Sequence, residues 1–375
     1  MNTHVTVDRG GLKVACETLC AASEHVHGKP GVAVLVVEEG RAALRLDAPG
    51  IRVDYDLGPS DESLVEPLPV LLRQCAALLD DGNVGPTRVR RRRSGVAIGE
   101  GFARTAVLLA CDLPSPHAGR VEAAAGPTTS LPAGDFAAAV ERTVFVADTE
   151  STRYALGGVL VDEEDGRVVL VATDSRRMAI AQTEIPACGL TGALLPRDLL
   201  RVGLATCRGR GLSRVTSSEK VVTLRGGRVT VMQERPSGRF PRWRDIVPLG
   251  VAASIDLPRT RLHRAIDRFL ATVQPERLRR SCSLDFAFAP GSLTLAGFAL
   301  EGDDDTTLAE RGVCSATIPV AYTGEPRVLV FDARFVRDFL AVASDVVLDL
   351  PADGYACTWH GGAGYRTVIM PMEKK

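Results

Sequence analysis

Apolar positions along this chain alternate in short runs, shift to a helical period at a few places, and do so in a recurring order. In residues 1–125 a short strand at Val5–Val7 precedes a helix over residues 11–24 with an apolar stripe of Leu12, Ala15, Cys16, Leu19 and Ala22. Alternation predicts strands at 32–37, 42–47 and 51–57, the first two joined by Glu38-Glu39-Gly40-Arg41. Leu68–Leu79 is helical in period and carries Pro69, a residue suited to an early helical turn. Strands are expected again at 84–92, 95–99 and 105–110, before a Pro- and Ala/Gly-rich connection up to Pro127.

The next stretch, 126–250, follows the same plan. A helix at 132–144 sets Phe136, Val140 and Thr143 on one face, strands follow at 159–161, 168–172 and 178–182, and a second helix covers 196–207. A hairpin at 220–232 turns on Gly226-Gly227. Residues 251–375 repeat it once more. A strand at 254–257 leads to a helix at 258–273, a hairpin turns at Pro290-Gly291, and a strand follows at 314–320. A helix from Asp332, a capping residue, runs to Val342, and strands follow at 346–350, 356–359 and 365–369. Two helices and many short strands per unit predict an α+β fold of three tandem pseudo-symmetric domains, 1–125, 126–250 and 251–375. The order of elements supports the repeat, because identity between the units is weak.

Composition narrows the class. At 375 residues with 45% apolar and 24% charged positions, this is a globular chain of more than one domain. Phe, Trp and Tyr make up only 5%, so Val, Leu and Ala must fill most of the core. No apolar run approaches the roughly 20 residues that span a bilayer, and the N-terminus lacks a basic-apolar leader, so a cytoplasmic protein is expected. The nine cysteines form no CxxC and no Cys/His cluster, and read as buried thiols.

The net charge of -1 excludes a generally basic protein, yet the arginines are not spread evenly. On a helical wheel Arg261, Arg264 and Arg268 share an arc beside the apolar Leu262, Ile266, Phe269 and Val273. Arg334 and Arg337 do the same next to Phe335 and Phe339, and Arg197, Arg201 and Arg208 line the second helix of the middle unit. The first unit contributes Lys13 and Arg73. With 46 acidic and 45 basic residues, ordinary solvated faces would mix signs, so this segregation points to a polyanion such as DNA, held through its phosphates. The run Arg90–Arg93 fits phosphate contact or an exposed hairpin tip.

Near the middle of the chain, Val171-Ala172-Thr173-Asp174-Ser175-Arg176-Arg177-Met178-Ala179 reads as strand, tight turn, strand. No nucleophile, general base or metal cluster accompanies it, and the six histidines fall in no motif with Ser, Cys or carboxylate partners. An enzyme is therefore not expected. Together with Arg153-Tyr154-x-Leu156-x-Gly158, this turn resembles the bacterial sliding clamp, the beta subunit of DNA polymerase III. Gly238-Arg239-Phe240-Pro241 with Trp243, and Val368-Ile369-Met370-Pro371-Met372 at the terminus, resemble two further segments of that family. The likeness is strong over 128–250, good at the C-terminus and weak over 1–125.

The resemblance implies the DNA clamp fold, in which helices of three domains face DNA and two chains close head-to-tail into a ring. It implies no cofactor and no chemistry. The implied partners are double-stranded DNA, a second copy as a homodimer, the replicative DNA polymerase, a clamp loader and other proteins bearing clamp-binding motifs, with no membrane. The implied peptide pocket maps to Leu156, Thr173, Ser175, Arg176, Arg177, Met178, Pro241, Ile246, Ile369, Met370, Pro371 and Met372, with Met side chains as adaptable walls and Arg176 and Arg177 as hands for peptide backbone or acidic groups. DNA contacts are expected from Lys29, Arg73, Arg197, Arg201, Arg261, Arg264, Arg268, Arg334 and Arg337, and a seam between copies from Val107, Leu108 and Leu109 with Leu270 and Val273. The chain departs from the family at Arg176, where a His is usual, at Asp245, where an Arg is frequent, and at Glu373. With domain 1 so altered, a divergent paralogue that serves as a protein-interaction platform without closing a ring is the alternative.

Overall fold

A computed structural model describes residues 4–27, 31–64, 66–80, 85–92, 95–99, 106–109, 121–148, 155–206, 214–273, 282–298, 313–352, 356–362 and 364–373. The first part of the chain runs β1 (His4–Asp8), α1 (Arg9–His27), β2 (Val32–Glu38), β3 (Arg41–Ala48), β4 (Ile51–Pro59), β5 (Leu68–Leu71), α2 (Leu72–Leu78), β6 (Pro86–Arg92), β7 (Gly95–Gly99) and β8 (Ala106–Leu109). The middle holds β9 (Thr128–Ser130), α3 (Ala133–Thr143), β10 (Gly158–Glu164), β11 (Arg167–Thr173), β12 (Arg177–Pro186), β13 (Leu194–Pro196), α4 (Arg197–Thr206), β14 (Arg214–Ser217), β15 (Val221–Gly226) and β16 (Val229–Glu234). The last part holds β17 (Val251–Asp256), α5 (Arg259–Thr272), β18 (Ser283–Ala289), β19 (Ser292–Phe298), β20 (Val313–Pro319), β21 (Arg327–Asp332), α6 (Ala333–Val342), β22 (Val347–Pro351), β23 (Cys357–His360) and β24 (Tyr365–Ile369). This is the expected α+β composition, with antiparallel sheets throughout.

The chain divides into two compact units. Unit 1 comprises residues 1–137 and 187–236, and unit 2 comprises 138–186 and 237–375. In unit 1 a long sheet runs β5-β2-β3-β4-β16-β15-β14-β9, and a second, four-stranded sheet runs β1-β6-β7-β8. In unit 2 the strands β10-β11-β12-β24-β23-β22-β17 form the long sheet and β20-β19-β18-β21 the four-stranded one. The stretch 126–250 thus gives strands to both units.

Local chemistry accounts for the elements. The α1 stripe Leu12, Ala15, Cys16, Leu19 and Ala22 is fully buried, and α1 packs on α2 and α4 within unit 1. Its first turn is closed by the Asp8 carboxylate, which accepts from the Gly11 N–H at 2.6 Å. Asp332 caps α6 as expected, accepting from the Arg334 N–H at 3.1 Å. The β2–β3 and β10–β11 hairpins turn on Glu39-Gly40 and Asp165-Gly166, all four at positive φ, the geometry that matches the twist of the flanking strands. The few aromatics concentrate in unit 2, where Phe286, Phe331, Phe339, Trp359 and Tyr365 form one buried cluster with centroids 5.1–5.9 Å apart. Cys16, Cys75, Cys282 and Cys357 are buried free thiols.

Two corrections follow from tertiary pairing. The helix expected from Leu68 begins only at Leu72, because Leu68–Leu71 pairs with β2 and Pro69 sits in an edge strand, where it withholds no ladder hydrogen bond. The strands β9, β13, β14 and β21 were not anticipated. The first three have three or four residues, too few for alternation to show. Among the described residues no helix is long and apolar enough to cross a membrane.

Candidate functional site

The turn between β11 and β12 is built by its own polar side chains. The Asp174 carboxylate accepts from the backbone N–H of Arg176 at 3.0 Å and of Arg177 at 2.9 Å, and from Arg177 Nε at 3.0 Å. Thr173 Oγ1 donates to the Arg177 carbonyl at 2.8 Å and accepts from the Ser175 N–H at 3.2 Å. Ser175 takes φ 70°, which a short polar residue in a tight turn tolerates. The Arg176 carbonyl then accepts from the Met370 N–H at 3.1 Å, which ties the segment after β24 to the turn.

Next to this turn lies a cavity of about 360 Å³, at the lower end of the range for ligand pockets. It is lined by Leu156, Thr173, Ser175, Arg176, Arg177 and Met178 from the middle of the chain, by Pro241, Arg242 and Ile246, and by Val368 and Met370 near the end. Its apolar floor belongs to a core cluster of Val169, Val171, Met178, Ile180, Trp243 and Val368. The register that pairs Met178 with Val368 sets those two side chains side by side on one sheet face. Ile246 and Met370 remain 44% and 48% exposed at the mouth, which is unusual for large apolar side chains.

Three anticipated pocket residues stand elsewhere. Ile369 is fully buried on the opposite sheet face, since successive strand residues alternate sides and Val368 takes the pocket face. Pro371 and Met372 are half-buried and do not line the cavity, and the Met372 N–H donates to Val330 in a bridge to β21. Val368 and Arg242 were missed. The Val368–Met370 spacing of two residues carried the signal for the first, and adjacency to Pro241 for the second.

The roles of the arginines also change. The Arg177 side chain, 8% exposed, is committed to Asp174 and to Asp338 Oδ2 at 2.8 Å, and lies 4.3 Å from the Phe335 ring centroid. It pins the turn to α6 and is not available to hold a peptide. Arg244 is spent on Asp162 at 2.7 Å and stacks over Trp243. Burial alone would raise the Asp162 carboxyl, but hydrogen bonds from Trp243 Nε1, the Glu163 N–H and Arg244 hold it below the ordinary carboxylate value. By contrast, Arg176 and Arg242 are exposed, and among the described residues neither guanidinium has a partner.

The basic helix faces are only partly as expected. Arg261, Arg264 and Arg268 form an exposed arc on α5. Arg337 is exposed nearby but pairs with Asp267 at 3.1 Å, and Arg334 is half-buried in an ion pair with Asp332 at 2.6 Å. In unit 1, Arg73 is exposed with Glu24 at 3.4 Å, Arg197 is largely shielded and sits 3.8 Å from Asp198, and Arg201 is half-buried on α4. Acidic neighbours dilute the segregation seen on the wheels. Lys29, Arg93, Arg153, Tyr154 and Arg208 lie outside the described residues, as do the side chains of Val107, Leu108 and Leu109 on β8. Leu270 and Val273, each 9% exposed, are already buried in unit 2, which leaves little of them for a second copy.

Residues 130–241 match the family model of the DNA polymerase III beta subunit, central domain. The beta sliding clamp of Caulobacter vibrioides is 30% identical over 207 residues, covering 53% of this chain and 52% of that protein, so the match spans about half the length of this relative. The Pseudomonas aeruginosa beta sliding clamp is 24% identical over 350 residues and 90% of each chain. Among solved structures, the DNA polymerase III beta subunit of Thermotoga maritima superposes with a TM-score of 0.78 at 16% identity over 99% of this chain and 100% of that one. The sliding clamp of Bartonella birtlesii gives 0.77 at 20% identity over the full length of both. The chain thus carries a segment similar to the central domain of the DNA polymerase III beta subunit, and over its full length it has the fold of the bacterial beta sliding clamps.

Proposed function

We propose that this chain is a DNA sliding clamp: two copies close head-to-tail into a ring around duplex DNA, and the pocket beside the β11–β12 turn tethers polymerase, clamp loader and other motif-bearing partners. It performs no chemistry of its own. The observation that carries the reading is the pair of four-stranded sheets. Each ends in an edge strand, β8 in one and β20 in the other, with no further partner among the described residues. An open edge is a template for pairing with another chain. Joining β8 of one copy to β20 of another would make an eight-stranded sheet matching the long sheet of unit 1, and doing so at both ends would close a dimer. Three domains at 1–125, 126–250 and 251–375 fit this scheme, the long sheets spanning the joins within a chain and the composite sheets the joins between chains.

The exposed arc of Arg261, Arg264 and Arg268 supports contact with phosphate without base readout. The decisive experiment is native mass together with retention on circular and linear DNA. A dimer that stays on circles and slides off free ends is expected; a monomer retained equally on both would overturn the ring. The burial of Leu270 and Val273 favours the second reading, a platform that binds peptides without closing. A monomeric mass with peptide binding intact would establish it.

A further inference from the structure

We infer that the four-stranded sheet of unit 1 carries a nucleic-acid site apart from the helical arcs, in which Arg88, Arg90 and Arg92 on β6 hold the phosphates of a single DNA strand. In the sequence Arg90–Arg93 is one run, but a strand sends successive side chains to opposite faces, and the structure divides it accordingly. Thr87 and Val89 are buried with Val5, Val7, Val96 and Ile98 on the face that packs against α1 and α2. Arg91, on that same side, is spent on the Pro67 carbonyl at 3.0 Å and on Glu66 at 3.4 Å. Arg88 and Arg92 are exposed on the opposite face, with Arg90 half-buried between them. Among the described residues neither Arg88 nor Arg92 has a partner, while Arg90 keeps contacts of its own.

Cross-strand neighbours share a face, and none on this one is acidic: Thr6 and His4 on β1, and Gly99, Ala97 and Gly95 on β7. Glu62 reaches in only at the free edge of β1, where it accepts from the Thr6 N–H and hydroxyl and lies 3.3 Å from His4. The fold does not demand the ladder. β18 holds the same place in the four-stranded sheet of unit 2, and its outward positions are Ser283, Asp285, Ala287 and Ala289. Alternate residues of a strand stand about 6.7 Å apart, close to the distance between successive phosphates of an extended single strand, so guanidiniums in line meet phosphates in line. A duplex backbone curves away from a flat sheet after fewer contacts. An acidic peptide fits less well, because β6 is bonded to β1 on one side and β7 on the other and has no free edge for strand addition. Carboxylates would also have to recur at every second residue. No Phe, Tyr or Trp stands among these neighbours to stack bases, so the phosphates alone are held, without sequence preference and with strong salt dependence. That the strand is DNA follows from the proposed function; the phosphate contact stands whether or not a ring closes.

The test titrates the full-length chain against a fluorescent oligothymidylate of about 20 nucleotides and reads anisotropy from low to high salt. Arg88→Gln combined with Arg92→Gln, both at exposed positions, should weaken binding about four- to twenty-fivefold at low salt and flatten the slope of log K against log salt by about 1.4. Arg88→Lys with Arg92→Lys should bind nearly as the unaltered chain does, since a phosphate accepts a point charge. The Gln pair should lower affinity by the same factor when Arg261, Arg264 and Arg268 on α5 are also replaced by Ala. An affinity unmoved by the Gln pair, an equal loss in the Lys pair, or no binding by the unaltered chain at low salt would overturn the site. Displacement of the DNA by an Asp-Ser repeat peptide at lower charge-equivalent concentration would give the face to an acidic protein and overturn its assignment to DNA.

Discussion

Arg177 offers the sharpest check on how the pocket is held. Its side chain is 8% exposed, bonds Asp174 and Asp338 at 3.0 and 2.8 Å, and lies 4.3 Å from the Phe335 ring centroid. Replacing it with Ala removes these contacts and a looser one to the Phe145 ring at 5.5 Å. The bond to Asp174, which is 19% exposed, is shielded and contributes about 1.5 kcal/mol. Asp338 is 38% exposed, so its bond is discounted towards a surface pair at about 0.5 kcal/mol. Stacking on Phe335 adds about 1 kcal/mol, giving a loss of about 3 kcal/mol for Arg177→Ala. Both tryptophans, Trp243 and Trp359, belong to unit 2, so selectively excited tryptophan fluorescence during urea unfolding reports that unit. The midpoint should fall with an unchanged slope. Asp338→Asn should cost under about 1 kcal/mol, since the aspartate is the more solvated partner. An Arg177→Ala loss below about 1 kcal/mol, or one matched by Asp338→Asn, would refute the assignment of Arg177 as the pin.

Three further outcomes follow from packing and titration. Gly297→Ala should destabilise unit 2 by about 1–3 kcal/mol in the same urea assay, because a Cβ there would lie 2.3 Å from Phe269 Cε2; a neutral result would mean that Phe269 can move aside. Trp243→Phe removes one of the three hydrogen bonds that hold the Asp162 carboxyl below its ordinary value of 3.8. The folded pKa being the lower, the stability this bond contributes is present above pH 3.8 and is lost as pH falls through the folded value. The gap of about 1 kcal/mol between wild type and variant at pH 7 should therefore close only in that acid window, and a gap that closes near neutral pH would rule out Asp162 as its source. Burial pushes the Cys357 thiol up to about 12, and a hydrogen bond with Cys75 together with burial raises Cys16 further. Alkylation of the native protein at pH 8 should leave Cys16 and Cys357 unlabelled until urea is added, as read by peptide mapping; labelling at the unfolded rate would contradict their burial.

The sequence was most legible where one local rule decides. The α1 stripe, the Asp332 cap and the Glu39-Gly40 and Asp165-Gly166 turns need only neighbours a few residues away. It was least legible where distant pairing decides. Leu68–Leu71 kept a helical period yet became a strand because β2 offered it an edge. Val368 displaced Ile369 from the pocket because register with Met178 sets the face, and a contiguous motif does not reveal alternation. The turn 173–178 lines a cavity, but Arg177 faces inward because Asp338, far along the chain, claims it. Charge on a helical wheel likewise overstated the basic faces, since Asp267 and Glu24 reach in from outside the arcs.

The pairing of β12 with β24 has a consequence for synthesis. Residues 177–186 leave the ribosome long before 365–369, and at roughly 5–20 residues per second the edge of β12 waits on the order of ten seconds or more for its partner. During that interval the strand next to the pocket turn presents unpaired amides and carbonyls, with Ala179 and Ile180 alongside, to any other nascent chain on the same message. Until its last strand arrives, the product is a sticky half-sheet. Truncation within the final dozen residues would keep it so, making loss of solubility an early sign of damage at the C-terminus.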